Sequence, residues 1–305
     1  MQWQTEVKSI PLQSKFDYSH KGLFLGSCFA AEMGAKMEQL RFNVIVNPFG
    51  TLFNPHSIAK AIERIGSMKS FVKEDLFFYD GYWRSFNHST LFGEREQELF
   101  LKRNNDILER TSHHFKESKF IFLTLGTSWV FRNIESGEVV ANCHKLPQSK
   151  FNREFLSYRE SFELLAPLLT PDKEWIVTVS PVRHLKDGAH GNQLSKANLL
   201  MAVDLLTKEG SHIHYFPAYE IFMDQLRDYR FYAADMVHPS HSATDYIWSR
   251  FCADILSPGS GEKMALISKL NSLKGHSLHS GKEGSLVLER KIEELERKID
   301  AIIEE

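Results

Sequence analysis

The sequence predicts an α/β protein: a parallel sheet of about five strands with helices on both faces, a hairpin insertion and a C-terminal helical tail. Three observations carry this expectation. Short apolar runs free of charge recur between Gly22 and Phe216, as strands buried on both faces require. Segments with apolar residues at helical spacing separate those runs, the alternation that crossover connections between parallel strands produce. From Ser257 onward the chain turns Gly/Ser-rich, and its last twenty or so residues are rich in Ala, Glu, Lys, Leu and Ile.

The first strand is read from Lys21-Gly-Leu-Phe-Leu-Gly26, which stops at a glycine and passes into Ser27 and Cys28. Phe29, Met33, Met37 and Leu40 then mark one face of a helix. A second strand from Phe42 ends in the Asn47-Pro-Phe-Gly50 turn, which should lie beside Ser27 and Cys28. The next helix is capped at Asn54 or Ser57 and turns Ile58, Ala61, Ile62 and Ile65 inward. Asp80-Gly81 between aromatic runs predicts a hairpin, read either as a lid carrying Trp83, Asn87 and His88 or as a surface insertion. A long amphipathic helix covers 94–116, and Lys119 to Gly126 repeats the opening pattern before Thr127 and Ser128.

A further hairpin runs through Ser136-Gly137 and returns to Asn142 and His144. Residues 151–169 read as helix, 174–181 as the fourth strand, 192–208 as helix and 212–216 as the fifth strand. Asp235 and His238 fall in the loop before a helix carrying Tyr246, Ile247, Phe251 and Ile255. The main domain is thus expected over 1–256, a linker with a short helix over 257–284, and an amphipathic, coiled-coil-like helix over 285–305. In that helix Leu288, Ile292, Leu295, Ile299 and Ile302 alternate spacings of four and three, a seam for packing or self-association.

A formal net charge of −2 and a pI near 6.7 leave no electrostatic footprint for nucleic acid or anionic lipid. No apolar run approaches the ~20 residues a bilayer requires, and the opening residues lack a leader pattern. Three scattered cysteines, Cys28, Cys143 and Cys252, form no disulfide framework and suit a reducing cytoplasm. Neither a Gly-x-Gly-x-x-Gly nor a phosphate-binding Gly-Lys-Ser/Thr loop is present, so no nucleotide cofactor is expected. Cys143, His144, His184, Asp235 and His238 lack the short paired spacing of zinc sites, and no metal is expected.

Ligands of parallel α/β sheets bind outside the carboxyl ends of the strands. The chemistry-bearing residues fall there: Ser27 and Cys28, Gly50, Thr127 and Ser128, Arg183 and His184. A helix N-terminus directs free N–H groups and a positive dipole at its ligand and is expected to lower a cysteine's pKa. A nucleophile at Cys28 or Ser27 combined with Asp235-Met-Val-His238 makes a catalytic constellation, in which His238 moves the proton and Asp235 fixes its tautomer. Arg183 and His184 are candidate contacts to an anionic or sugar ligand; Asn142 and His144 divide between substrate contact and hairpin structure.

The chain resembles the GSCFA-domain proteins, which in turn resemble the SGNH (GDSL-like) hydrolases. The resemblance rests on Gln4-Thr-Glu-Val7, Gly26-Ser-Cys-Phe-Ala30, Asn47-Pro-Phe-Gly-Thr-Leu-Phe-Asn-Pro55, Leu125-Gly-Thr-Ser-Trp129, Asn142-Cys-His-Lys145, Ser180-Pro-Val-Arg-His184 and Asp235-Met-Val-His238. It implies a flavodoxin-like three-layer α/β/α sandwich and ester hydrolysis or acyl transfer, often on carbohydrates. In the register of that family's Gly-Asp-Ser opening, the nucleophile position is Cys28, with Ser27 in the aspartate slot. Ser128 stands where the family's oxyanion-binding asparagine falls, so the backbone N–H groups of Cys28 and Gly50 are the other expected donors. The rival expectations are a non-catalytic saccharide-binding or assembly protein that retains the pocket, and a transferase using a coenzyme A thioester.

Overall fold

The computed structural model describes residues 5–277 and 285–304. In chain order its elements begin with β1 (Lys21–Gly26), α1 (Cys28–Gln39), β2 (Asn43–Val46), α2 (Pro55–Ser67), β3 (Leu76–Tyr79), β4 (Tyr82–Ser85) and α3 (Gln97–Glu117). There follow β5 (Phe120–Leu125), β6 (Trp129–Asn133), β7 (Val139–Val140), β8 (Phe151–Phe155), α4 (Tyr158–Leu165), β9 (Glu174–Val179) and α5 (Gly188–Glu209). The chain closes with β10 (Ile213–Tyr215), the single turn α6 (Ala218–Glu220), α7 (His241–Ile255), α8 (Ser260–Ser277) and α9 (Ser285–Glu304).

Five parallel strands form the central sheet in the order β10-β9-β5-β1-β2. Counted along the chain, this is the 2-1-3-4-5 order of flavodoxin-like folds, whose switch point lies between the first and third parallel strands. Here those are β1 and β5, paired from Gly22–Phe120 to Gly26–Thr124.

Side-chain alternation along each strand divides the core in two. Leu23, Leu25, Ile121, Leu123 and Val177 meet Ile58 and Ile62 of α2, Leu108 of α3, Leu165 of α4 and Leu199 of α5. Phe24, Phe122 and Ile176 face Met33 and Met37 of α1 and Ile247, Phe251 and Ile255 of α7. The result is the expected three-layer sandwich.

Gly34 of α1 shows how tightly the layers close, since a Cβ there would lie 2.5 Å from a Val46 methyl in β2. Asn54 caps α2 by accepting from the Ser57 N–H at 2.8 Å. The Asp80-Gly81 hairpin forms with both residues at positive φ. Its His88 is no lid residue: it is wholly buried, in ring contact with Phe49, Phe71 and Phe100, and burial presses its pKa down to about 3.

Residues 151–155, expected as helix, instead form β8, antiparallel to β6 in a small sheet ordered β7-β6-β8. In Phe-Asn-Arg-Glu-Phe the two aromatics flank three polar residues, and α4 starts only after Ser157, whose capping box with Glu160 sets the boundary. Within 257–284, expected as a linker with a short helix, the helix is the 18-residue α8, and residues 278–284 lie outside the described residues. The seam of α9 is occupied within the chain: Ile299 is buried in the α1-side core, with Ile292 and Leu295 packed against it. Of the Gln4–Val7 block, Gln4 lies outside the described residues, and Val7 is tied to Gln225 and Arg250.

Candidate active site

Ser27 leaves β1 in extended conformation and caps α1, its Oγ accepting from the Phe29 N–H at 3.3 Å. That placement buries Ser27, at 1 % exposure, and makes Cys28 the first helical residue. Asn47 pins the exit of β1 from the other side, accepting from the Gly26 N–H through Oδ1 at 2.9 Å and donating its own N–H to Phe24 O.

The Asp235–His238 loop is wound by local hydrogen bonds. Asp235 Oδ1 accepts from the N–H groups of Val237 and His238 at 2.9 and 3.0 Å, and Met236 takes φ +59° to allow it. The second carboxylate oxygen lies 2.7 Å from His238 Nδ1. These bonds, the two backbone N–H groups foremost, hold the Asp235 carboxyl down to about 2. With the carboxylate fixing the proton on Nδ1, the opposite nitrogen Nε2 carries a lone pair. It lies 3.9 Å from Cys28 Sγ, across 210 positions of sequence.

The helix N-terminus does not lower the thiol pKa. Burial pushes Cys28 up, and Glu32 adds to it, outweighing the downward pull of nearby N–H groups and of Lys196. The thiol is therefore held protonated and needs a base.

Lys196, missed by the sequence reading, is buried beneath this rim, its ammonium donating to Gly126 O at 2.7 Å and Ser180 O at 2.8 Å. It thereby ties the carboxyl ends of β5 and β9 together, and burial presses its pKa down to about 7. The available signal was periodicity: Asn192, Lys196, Leu199, Val203 and Leu206 form one buried stripe of α5, and a lysine inside an apolar stripe is exceptional.

The other expected residues divide. Ser128 is no oxyanion donor: fully buried, it donates Oγ–H to Ser195 O at 3.0 Å and accepts from Asn198 at 2.9 Å. Thr127 is likewise committed to Ser195 and to the Trp129 N–H. The Gly50 N–H closes its own turn onto Asn47 O at 2.8 Å, and φ +80° with Ser89 packed against it explains the glycine. Asn142 and His144 belong to the hairpins: Asn142 Oδ1 accepts from Thr90 and from the His144 N–H, and the buried His144 ring bonds Ser85 O.

His184 does adjoin the constellation. Its ring lies edge-on to Phe53, and burial together with Lys196 lowers its pKa to about 4, with a smaller contribution from His238. Arg183 points elsewhere, toward Met223 and an open cleft. Among the described residues no three His, Cys, Asp or Glu side chains gather to hold a metal.

The fold is a flavodoxin-like α/β sandwich in which the side chains of Asp235, His238 and Cys28 line up in contact at the carboxyl end of β1. Residues 21–251 match the sequence model of the GSCFA family, and the chain belongs to that family. No curated protein matches it significantly.

Proposed function

We propose that this chain is an ester hydrolase or acyltransferase working through Cys28, His238 and Asp235, on an acylated carbohydrate or related small molecule. The observation that carries the reading is the relay itself: Asp235 to His238 at 2.7 Å and His238 to Cys28 at 3.9 Å. The latter is a loose contact of the kind that tightens when substrate binds. The order of the sheet and the Asp-x-x-His motif, both shared with SGNH hydrolases, support the choice of chemistry.

In acylation, Cys28 Sγ bonds to the ester carbonyl carbon while the thiol proton passes to His238 Nε2. The Cys28 N–H, free of any intrahelical acceptor, and the positive end of α1 face the developing oxyanion. The carbon–oxygen bond then breaks, the leaving alkoxide takes the proton from Nε2, and a thioester remains. Water, or an acceptor hydroxyl in the transfer reaction, attacks that thioester with His238 again as base, and the carbon–sulfur bond breaks as the proton on Nε2 returns to Cys28 Sγ. A cytoplasmic setting is part of the reading, because the sulfur must stay reduced.

Turnover of p-nitrophenyl acetate tests it. His238→Ala should lose about 10²- to 10⁴-fold in rate, and Cys28→Ala should form no acyl-enzyme. Ser27→Ala should keep the chemistry while losing about 1 kcal/mol of stability with its cap. Equal turnover by wild type and His238→Ala would end the proposal.

The second reading, a saccharide-binding protein without turnover, is favoured by the commitment of Ser128 and Gly50, which leaves the oxyanion only helix donors. Saccharide binding with no acylation of Cys28 would select it.

A further inference from the structure

A cleft of about 430 Å³ opens beside the relay, lined by Arg183, Met223, Leu226, Tyr229, Tyr232 and Met236. Two chain connections join it to the site. Met236 sits on the same turn as Asp235 and His238, and Arg183 precedes His184, whose ring feels His238. The volume lies in the range of small-molecule sites. Its walls are mixed: Tyr229 and Met236 are exposed at 80 % and 45 %, large apolar surface left open to solvent at one mouth.

Charge in this cleft is unbalanced. Asp228, the carboxylate on its lining, is engaged by Arg230 through both the backbone N–H and the guanidinium. Arg227 has Asp224 at 3.8 Å. Among the described residues Arg183 has no carboxylate partner: its one side-chain hydrogen bond goes to the Met223 sulfur at 3.5 Å, and its buried Nε has no acceptor. A guanidinium carries five donors in a fork that matches carboxylate and phosphate oxygens, and a thioether is a poor substitute. Arg183 is half-buried: its Nε is shut off from water without an acceptor, and the rest of the group faces the cleft, where an incoming oxyanion supplies the acceptors that the protein does not.

We propose that this cleft is an anion-selective subsite, in which Arg183 grips the carboxylate or phosphate of a ligand whose apolar or sugar body lies against Tyr229 and Tyr232. Resting on the ester chemistry above, this makes the substrate an anionic ester rather than a neutral one. Arg183 binds and orients; it takes no part in proton transfer.

The test separates binding from turnover. With the full chain, 4-nitrobenzoate should bind about tenfold or more tightly than neutral 4-nitrobenzamide, and equally to wild type and His238→Ala. Arg183→Gln should abolish the preference and Arg183→Lys should restore part of it. Displacement of 4-nitrobenzoate by succinate or by inorganic phosphate identifies which oxyanion the fork prefers. In turnover, Arg183→Gln should raise KM for mono-4-nitrophenyl succinate about tenfold more than it raises KM for 4-nitrophenyl acetate; an equal rise for the two esters counts against the subsite. Equal binding of benzoate and benzamide by the wild type overturns the subsite, whether or not any variant folds. Selective anion binding with no ester turnover upholds the subsite and removes the catalytic reading instead.

Discussion

At the scale of single residues, burial decides more than position along a helix. Cys28 occupies the first turn of α1, yet its thiol is pushed up, because losing water costs the thiolate more than the helix returns. The same principle acts with the opposite chemical sign on Lys196, whose pKa falls to about 7. In the unfolded chain a lysine titrates near 10.4. Between those values the unfolded state holds a proton that the folded state has released, so stability rises with pH from about 7 to about 10, by up to about 1.4 kcal/mol per unit. Lys196→Met should lose that rise. Cys28, Cys143 and Cys252, all pushed up, act in the opposite direction above about pH 8.5. The quantity to read is therefore the difference in urea unfolding free energy between variant and wild type at about pH 6 and about pH 9. A difference that does not change with pH would show that Lys196 is not the titrating group. What the sequence revealed of the site follows the same division. Cys28, Asp235 and His238 were legible because motif and strand end coincide. Ser128 misled, and Asn142 and His144 stayed open between ligand and hairpin, because a polar side chain in a loop looks the same whether it faces a ligand or a neighbouring carbonyl.

Between elements, close backbone approach is what fixes the rim. Gly26 ends β1 at φ +140°, and a Cβ there would lie 2.2 Å from the Thr124 carbonyl oxygen of β5, an atom of a central strand that cannot move aside. Gly26→Ala should therefore cost more than about 3 kcal/mol or prevent folding. Gly81→Ala, also at positive φ but with nothing within 4 Å, should cost only about 1 kcal/mol. Thermal unfolding of the two variants checks the contrast, and matching losses would show that strain in φ alone governs both. The apolar runs that predicted the parallel strands were readable because both faces of those strands are buried. β8 was not, because Phe151 and Phe155 flank polar residues at a spacing that both periods accommodate, and the Ser157–Glu160 cap lies inside the stretch read as one helix.

Across the whole molecule, the question is whether α8 and α9 share the cooperative unit of the sandwich. Ile267, Leu270 and Ile299 continue the apolar layer that contains Met37, Leu40 and Phe42. Polar ties reach back as well: Arg41 to Asp300 at 2.9 Å, and Asn271 to the Gln39 carbonyl at 2.8 Å. The ion pair has an exposed carboxylate and contributes little, so the docking rests on the buried side chains. Truncating Ile299 to alanine removes about 2 to 5 kcal/mol of that packing. Among the described residues three buried apolar side chains of α8 and α9 anchor the pair, against central strands buried on both faces, so the loss should appear as local undocking. Amide exchange in α9 should quicken by about thirtyfold or more while the amides of β1 and β5 keep their protection. A uniform loss of protection would show instead that the two helices fold and unfold with the sheet, and that the tail is an integral wall of the α1-side core.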